Sequence, residues 1–400
     1  MERLIILGAS ALQVPLIKQA SKMGYYTTVF DFNPEAIGIQ YADDFYRIST
    51  IDEKQVFNQA KELKPKAILT AATDMPMRAV AYASEKLGLT SISYETAVIS
   101  TDKALMAEKL ASESVNSPRF IQIDNDNLNN LDVLISKLTF PVIIKPVDSS
   151  GSRGVIKVTD KSDLEQAIIY SKEYSKMGKI IIEEYIEGDE VSVEVLINDG
   201  NIFVIAITDK VTTNSPHFVE LGHYQPTKFS NSIQERIKKT TIDAIKALKI
   251  NSGAAHAELR IKNGKPYIIE VGARLGGDYI TSHLTPLNTG VNMIEGLINI
   301  ATGNNLNIKT VNKSASYAIR FIPLEQTGIF KGISNLNLIT EQFKENIVET
   351  VIYPDLNSQV EYSNSSNSRL GHFVLVAKNR NELEEIFNNI VGKLSIEIES

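Results

Sequence analysis

The chain contains no cysteine. That absence excludes disulfides, thiolate metal sites and cysteine nucleophiles together, and it is compatible with a cytoplasmic protein. Positive charge is never concentrated: 41 Lys and Arg stand against 48 Asp and Glu, a net charge of −7, with no basic block. A nucleic-acid partner needs a clustered basic surface and is not expected. No run of about 18 apolar residues occurs, so no membrane-spanning helix is expected. The first apolar run, Leu4-Ile5-Ile6-Leu7, begins almost at Met1, and the expectation is a chain without a signal peptide. What remains is an ordinary globular composition, 43% apolar and 22% charged over 400 residues. That is enough for two or three domains with cores of their own.

The first hundred residues alternate strand and helix, the pattern of a parallel α/β domain. Leu4–Leu7 reads as a strand and Gly8-Ala9-Ser10 as a tight turn. Val14–Met23 reads as a helix stopped by Gly24, Thr27–Phe30 and Lys66–Thr70 as further strands. Asp31 lies about 23 residues after Gly8, where a dinucleotide-binding fold places its ribose-binding acid. LGASALQ lacks the later glycines of that fingerprint, so a structural or small-substrate role is the expectation for this turn. Asp74 follows a strand end, where open α/β sheets bind ligands; an N-cap explains it equally well.

The most informative stretch is HAELRIKNGKPYIIEVGARLGGD, from His256 to Asp278. Glu258 and Glu270 sit in two short apolar runs around Lys262-Asn263-Gly264-Lys265, a hairpin signature. A two-residue Asn-Gly loop would pair Glu258 with Ile269 and Leu259 with Ile268, mixing carboxylate and core on each face. An odd loop, a type I turn with Gly264 left-handed, keeps both glutamates on one face and is the expected form. Two adjacent carboxylates repel each other and suggest a cation between them, and oxygen-only ligands favour Mg²⁺, with Mn²⁺ as a substitute. Arg274, four residues on, suits a phosphoryl group in transfer. The plain alternative is a surface hairpin with both glutamates in water.

Other stretches carry weaker signals. Thr101 or Asp102 can cap a helix that puts Lys103 in its first turn, where a lysine opposes the helix dipole but is compatible with an anionic ligand. Phe140–Pro146 reads as a strand ending in Lys145, followed by a loop of small residues, Val147–Val155, rich in backbone N–H groups. Glu183-Glu184-Tyr185-Ile186 leaves a strand and can offer backbone groups to a flat base, with Glu183 and Glu190 as acceptors for an amino group and ribose hydroxyls. From Lys210 to Phe229 the pattern is an irregular loop, long for a compact domain. It holds Glu220 and His223 on either side of Gly222, so a tight turn brings the two together beside a ligand. Ser232–Leu248 reads as an amphipathic helix, Asn292–Thr302 as a helix, and residues from about 311 onward as strands with two helices.

Five features occur in order: TDKALM, KPVDSSGSRGV, EEYIEGDE, the Glu258–Glu270 spacing, and EVGAR. Together they resemble the ATP-grasp enzymes of the ADP-forming carboxylate–amine ligase kind, over essentially the whole chain. EVGARLGGD, FVELGH and SRLGH are most similar to the L-amino acid ligases. Biotin carboxylase, carbamoyl-phosphate synthetase and formate-dependent glycinamide ribonucleotide transformylase share the core motifs.

The resemblance implies an α/β protein: an N-terminal parallel (pre-ATP-grasp) domain over 1–110 and a lid over 111–187. It implies an antiparallel-sheet core with metal and substrate site over 188–310, and a C-terminal α+β segment packed on it over 311–400, with ATP between two sheets. It implies that Lys103 and Lys145 hold ATP phosphates under the loop Ser149, Ser150, Gly151, Ser152 to Gly154. Glu183, Glu184, Tyr185 and Ile186 would form the adenine hinge and Glu190 would bind ribose. Glu258 and Glu270 would ligate Mg²⁺, Arg274 would contact the transferred phosphate, and Glu220 and His223 would place the substrate. Where many members carry a metal-ligating Asn two places after the second glutamate, this chain has Gly272. The expected partners are a small carboxylate and an amine, with no nucleic acid and no membrane; a homodimer fits the same reading.

Overall fold

The computed structural model describes residues 1–123, 131–149, 151–213, 218–311, 313–324, 326–362 and 368–399. The chain divides into two compact units. The first comprises Met1–Ser117, Ser192–Ile207 and Phe229–Val311, the second Pro118–Val191, Thr208–Lys228 and Asn312–Ser400. Of the four expected segments, 1–110 lies within the first unit, and 188–310 is shared between the two.

The chain opens with β1 (Arg3–Leu7), α1 (Val14–Lys22), β2 (Tyr26–Asp31), β3 (Asp44–Arg47), α2 (Glu53–Leu63), β4 (Ala67–Leu69) and α3 (Met77–Leu87). The four strands form a parallel sheet in the order β3-β2-β1-β4. A parallel sheet is covered on both faces, which is why Leu4 to Leu7 is an unbroken apolar run and wholly buried. Gly8, at φ 98°, turns the chain out of β1. Asp31 fastens that turn, its carboxylate accepting the N–H of Ala9 at 2.8 Å and of Asn33 at 2.9 Å. Both oxygens are engaged by backbone, so Asp31 has the structural role rather than that of a ribose hook. Helices α4 (Tyr94–Ser100) and α5 (Lys103–Ser112) follow, the latter capped by Asp102, which accepts from Ala104 and Leu105 N–H.

The second unit begins with β5 (Phe120–Ile123), α6 (Leu131–Ile135), β6 (Val142–Pro146), β7 (Ile156–Val158), α7 (Leu164–Glu173) and β8 (Ile180–Glu184). These strands form an antiparallel sheet in the order β5-β8-β6-β7 over a core that includes Ile123, Val142, Ile144, Ile180 and Ile182. Strands β9 (Asp189–Asn198) and β10 (Asn201–Thr212) each run from one unit into the other, and β11 (Glu220–Gln225) pairs with the end of β10. The expected irregular loop from Lys210 to Phe229 thus includes the end of β10 and the whole of β11. Its alternation is hidden by a bulge, because Thr212 faces Glu220 while Val211 faces Gly222, leaving Leu221 extra.

Back in the first unit, α8 (Asn231–Ala247) precedes the hairpin of β12 (Gly253–Lys262) and β13 (Lys265–Gly272), then α9 (Thr285–Thr289) and α10 (Met293–Thr302). The C-terminal part of the second unit contains β14 (Ser316–Ile322), β15 (Gly328–Ile333), α11 (Leu336–Gln342), β16 (Ile347–Ile352), β17 (Gln359–Val360), β18 (Gly371–Ala377), α12 (Arg380–Val391) and β19 (Ile396–Glu399). Strands β11, β14, β18 and β16 pair antiparallel in that order, and α12 covers one face through Leu383, Phe387 and Ile390. No helix among the described residues is long and apolar enough to cross a membrane.

Candidate active site

The hairpin β12–β13 turns through two residues, not an odd number. Lys262 pairs with Lys265, and Asn263 (φ 53°) and Gly264 (φ 74°) are both left-handed, which is a type I′ turn. The expected type I turn is therefore wrong, although Gly264 does have positive φ. Register is rescued by a bulge: Leu259 pairs with Ile268, but Glu258 pairs with Glu270, leaving Ile269 extra. Ile268 takes the buried position instead of Ile269, and the two carboxylates come directly opposite each other on one face.

Each glutamate has a basic side chain against it. Met106 on α5 accepts the Val271 N–H through its sulfur at 3.3 Å, which docks the helix on β13. Lys103 lies three residues earlier on the same helix face and reaches Glu270, Nζ to Oε1 at 3.0 Å. Burial pulls the Lys103 pKa down, but Glu270, with Asp74 and Glu258 behind it, outweighs burial and holds it above the usual lysine value. Glu258 faces His256 Nε2 at 3.4 Å, and His256 Nδ1 lies 2.8 Å from Glu194. Burial alone would favour neutral imidazole; the Glu194 charge and the hydrogen bonds that both glutamates accept from the ring raise its pKa to about 9.

Arg274 is gripped by Asp74, Nε to Oδ1 at 3.0 Å and Nη2 to Oδ2 at 2.9 Å, a bidentate pair. Burial lowers the arginine pKa, and Asp74, with Glu270 and Glu258, raises it further than burial lowers it. Asp74 is therefore neither a helix cap nor a lone acid at a strand end. Its position also accounts for Gly272. A Cβ there would lie 2.7 Å from Asp74 Oδ1 and 3.0 Å from Arg274 Cζ, so the space of an asparagine at this position is taken by the pair.

Among the described residues, no group of three or more His, Asp or Glu side chains is placed to hold a metal. Two opposed carboxylates remain. That donor set fits Mg²⁺ carried on phosphate oxygens, which needs one or two protein carboxylates, and does not fit a cation caged by protein alone.

The second unit places Lys145 at the end of β6 and Glu183 two residues beyond its cross-strand partner on β8. The two pair at 2.7 Å with side chains only 6% and 8% exposed. In the small-residue loop, Gly151, Ser152 and Gly154 all have positive φ, at 66°, 58° and 74°, a turn-rich backbone of the kind that aims N–H groups inward. Gly154 is obligatory, since a Cβ would strike Tyr174 and Pro146 at 2.8 and 2.9 Å. Ser149 is in the same loop, and Ser150 lies outside the described residues. Beyond β8, the N–H groups of Glu184 and Tyr185 donate to Arg119 and Pro141 carbonyls, both at 2.9 Å, and the Glu184 carboxylate accepts the Thr139 N–H. These two residues brace the segment, and Ile186, next in the chain, is buried.

Glu190 and Glu220 share a cation that no sequence motif marked. Lys210, with a side chain 4% exposed, lies 2.9 Å from Glu190 and 3.7 Å from Glu220. The bulge at Leu221 puts Glu220 opposite Thr212 and His223 opposite Lys210, so Glu220 and His223 share a face through strand pairing rather than a tight turn. His223 is buried edge-on to Phe321. Arg320, on β14, pairs with Glu384 and stacks on Phe387, within the core covered by α12. Asp74, Glu194, His256 and Lys210 were not legible as partners, because each meets its counterpart only across strands or between elements far apart in sequence.

Residues 138–282 match the family model described as an ATP-grasp domain. The chain contains an ATP-grasp domain. The chain is 25% identical over 277 residues to alanine–anticapsin ligase of Bacillus subtilis, covering 63% of this chain and 57% of that one. It is 24% identical over 257 residues to the carbamoyl phosphate synthase large chain of Thermotoga petrophila, 63% of this chain and 23% of that one. It thus spans about a quarter to a little over half of the length of these curated relatives. The structure of L-amino acid ligase from Bacillus licheniformis superposes with a TM-score of 0.83 at 21% identity, over 100% of this chain and 99% of that one, and so shares the ATP-grasp fold.

Proposed function

We propose that this protein is an ADP-forming carboxylate–amine ligase of the ATP-grasp kind that activates a small carboxylate, an amino acid, and joins it to an amine. The observation that carries the reading is the cross-strand pair Glu258–Glu270, with Lys103 and the Asp74-held Arg274 against it. A carboxylate does not react with an amine at neutral pH because oxide is too poor a leaving group. In the proposed reaction a carboxylate oxygen attacks the γ-phosphorus of ATP, the bond to ADP breaks, and an acyl phosphate forms. The amine then attacks the acyl carbon, loses a proton, and phosphate departs. Arg274 donates to the phosphoryl oxygens in flight, and Asp74 fixes the plane of its guanidinium. Lys103 and Lys145 bind phosphate oxygens, the 149–154 loop excludes water, and Glu183 to Ile186 with Glu190 hold the nucleoside. Glu258 and Glu270 hold Mg²⁺, which neutralises phosphate charge when bound.

Glu220 and His223 place the amino acid. The likeness to alanine–anticapsin ligase supports an amino acid as the carboxylate. The likeness to a carbamoyl phosphate synthase large chain favours a second reading, activation of bicarbonate or formate. ADP release measured across pairs of amino acids, and with bicarbonate or formate plus amines, separates them. Turnover that requires an amino acid pair supports ligation; turnover with bicarbonate or formate alone replaces it with the second reading. Absence of turnover with every pair would remove both.

A further inference from the structure

Glu194 on β9 is fully buried. Its Oε1 accepts from Ser192 Oγ at 3.0 Å and from His256 Nδ1 at 2.8 Å. Among the described residues its Oε2 has no hydrogen-bond partner, a costly arrangement for a buried carboxylate. The opposite ring nitrogen of His256 faces Glu258 Oε1 at 3.4 Å. A buried acid, an imidazole and a partly exposed carboxylate thus stand in line. Gly276 belongs to the same arrangement: a Cβ there would lie 2.6 Å from both Glu194 Oε2 and His256 Nδ1. The chain gives up a side chain where backbone must pass directly over the pair.

From this geometry we infer that His256 is a positioning residue, oriented by Glu194 and admitted by Gly276, that holds the Glu258 carboxylate at the angle needed to ligate a metal opposite Glu270. Imidazoles and carboxylates behind a metal ligand fix its rotamer in this way, and their removal weakens metal binding without removing a ligand. A histidine that only filled core space would need neither a buried acid on one nitrogen nor a carboxylate on the other. The inference rests on Glu258 being a metal ligand.

The test is Mn²⁺ binding to the full chain in saturating ADP, with free Mn²⁺ read by electron paramagnetic resonance. His256→Asn keeps a donor at the position of Nδ1 for Glu194 and removes the atom that reaches Glu258. Mn²⁺ affinity is expected to fall roughly tenfold, with ADP affinity in EDTA unchanged. His256→Gln keeps reach toward Glu258 but loses Glu194, so it should bind Mn²⁺ nearly as wild type while melting lower. Wild-type Mn²⁺ affinity in His256→Asn overturns the inference. If His256→Asn does not fold, Gly276→Ala decides, since its Cβ displaces the pair without touching Glu258: weakened Mn²⁺ binding supports the inference and unchanged binding overturns it. Glu258→Gln separates the two levels. If it binds Mn²⁺ like wild type, the metal-ligand assignment itself fails; if only Glu258→Gln loses Mn²⁺, the ligand stands and the positioning role falls.

Discussion

Replacing Lys145 by methionine is expected to destabilise the second unit far more than a surface ion pair would allow. Lys145 and Glu183 meet at 2.7 Å with side chains 6% and 8% exposed. At an effective dielectric of about 20 their attraction is on the order of 6 kcal/mol, and most of it is offset by the cost of bringing both charges out of water. The net worth of the pair is small, but the cost of breaking it is not. Lys145→Met leaves a buried carboxylate without its cation, at about 3–5 kcal/mol, whereas replacing both residues with methionine should come within about 1–2 kcal/mol of wild type. Hydrogen–deuterium exchange over 142–146 and 180–184 reads this directly, because β6 and β8 carry the pair. Protection in Lys145→Met should fall by more than a hundredfold, on the order of 10²–10³ for 3–4 kcal/mol if exchange follows opening of that sheet, and the double variant should recover most of it. Wild-type protection in Lys145→Met, or a double variant no better than the single, would refute the reasoning. The same proteins test nucleotide binding: ATP affinity should fall more in Lys145→Met than in Lys103→Met. Lys145 ends a strand followed by proline and is held in place, whereas Lys103 is shared with a more exposed Glu270. Equal losses would contradict that ordering.

Three further outcomes follow from the first unit and from β11. Asp74→Asn should lower kcat by about 10- to 100-fold by loosening Arg274, with ATP affinity near wild type; Gly272→Asn should also lose turnover, because its side chain collides with the same pair, and a gain in turnover would reverse this account of Gly272. Glu270→Gln should leave ADP binding in EDTA measurable while turnover disappears, and normal activity in that variant would remove its metal role. Glu220→Ala and His223→Ala should change the amino-acid KM or kcat with ATP affinity kept, and His223→Ala should also melt lower because the ring is buried; normal ligation in both would move the substrate site elsewhere.

The hairpin shows how close a linear reading comes and where it stops. That Glu258 and Glu270 share a face follows from their surroundings, because the alternative buries a charge or exposes the core. How they come to share it does not follow. Asn263-Gly264 forms the turn that its residue types prefer, and a bulge at Ile269 corrects the register. A bulge leaves no sequence signal at Ile268-Ile269, where either isoleucine fits the core. The same device hides β11: an extra Leu221 breaks the strict alternation by which a strand is legible.

By itself the sequence determined the alternation of strand and helix in the first hundred residues, the helix cap at Asp102, the hairpin, and an order of motifs that resembles the ATP-grasp enzymes. These are local or nearly local properties, set by apolar period, turn chemistry and spacing. Only the tertiary structure decided which charges face one another. Asp74 meets Arg274, Lys145 meets Glu183, Lys210 joins Glu190 to Glu220, and Glu194 stands behind His256. Each of these pairings depends on strand register or on the docking of one element against another. The attraction of a buried ion pair depends on separations of a few ångströms and on exclusion of water, and sequence distance encodes neither.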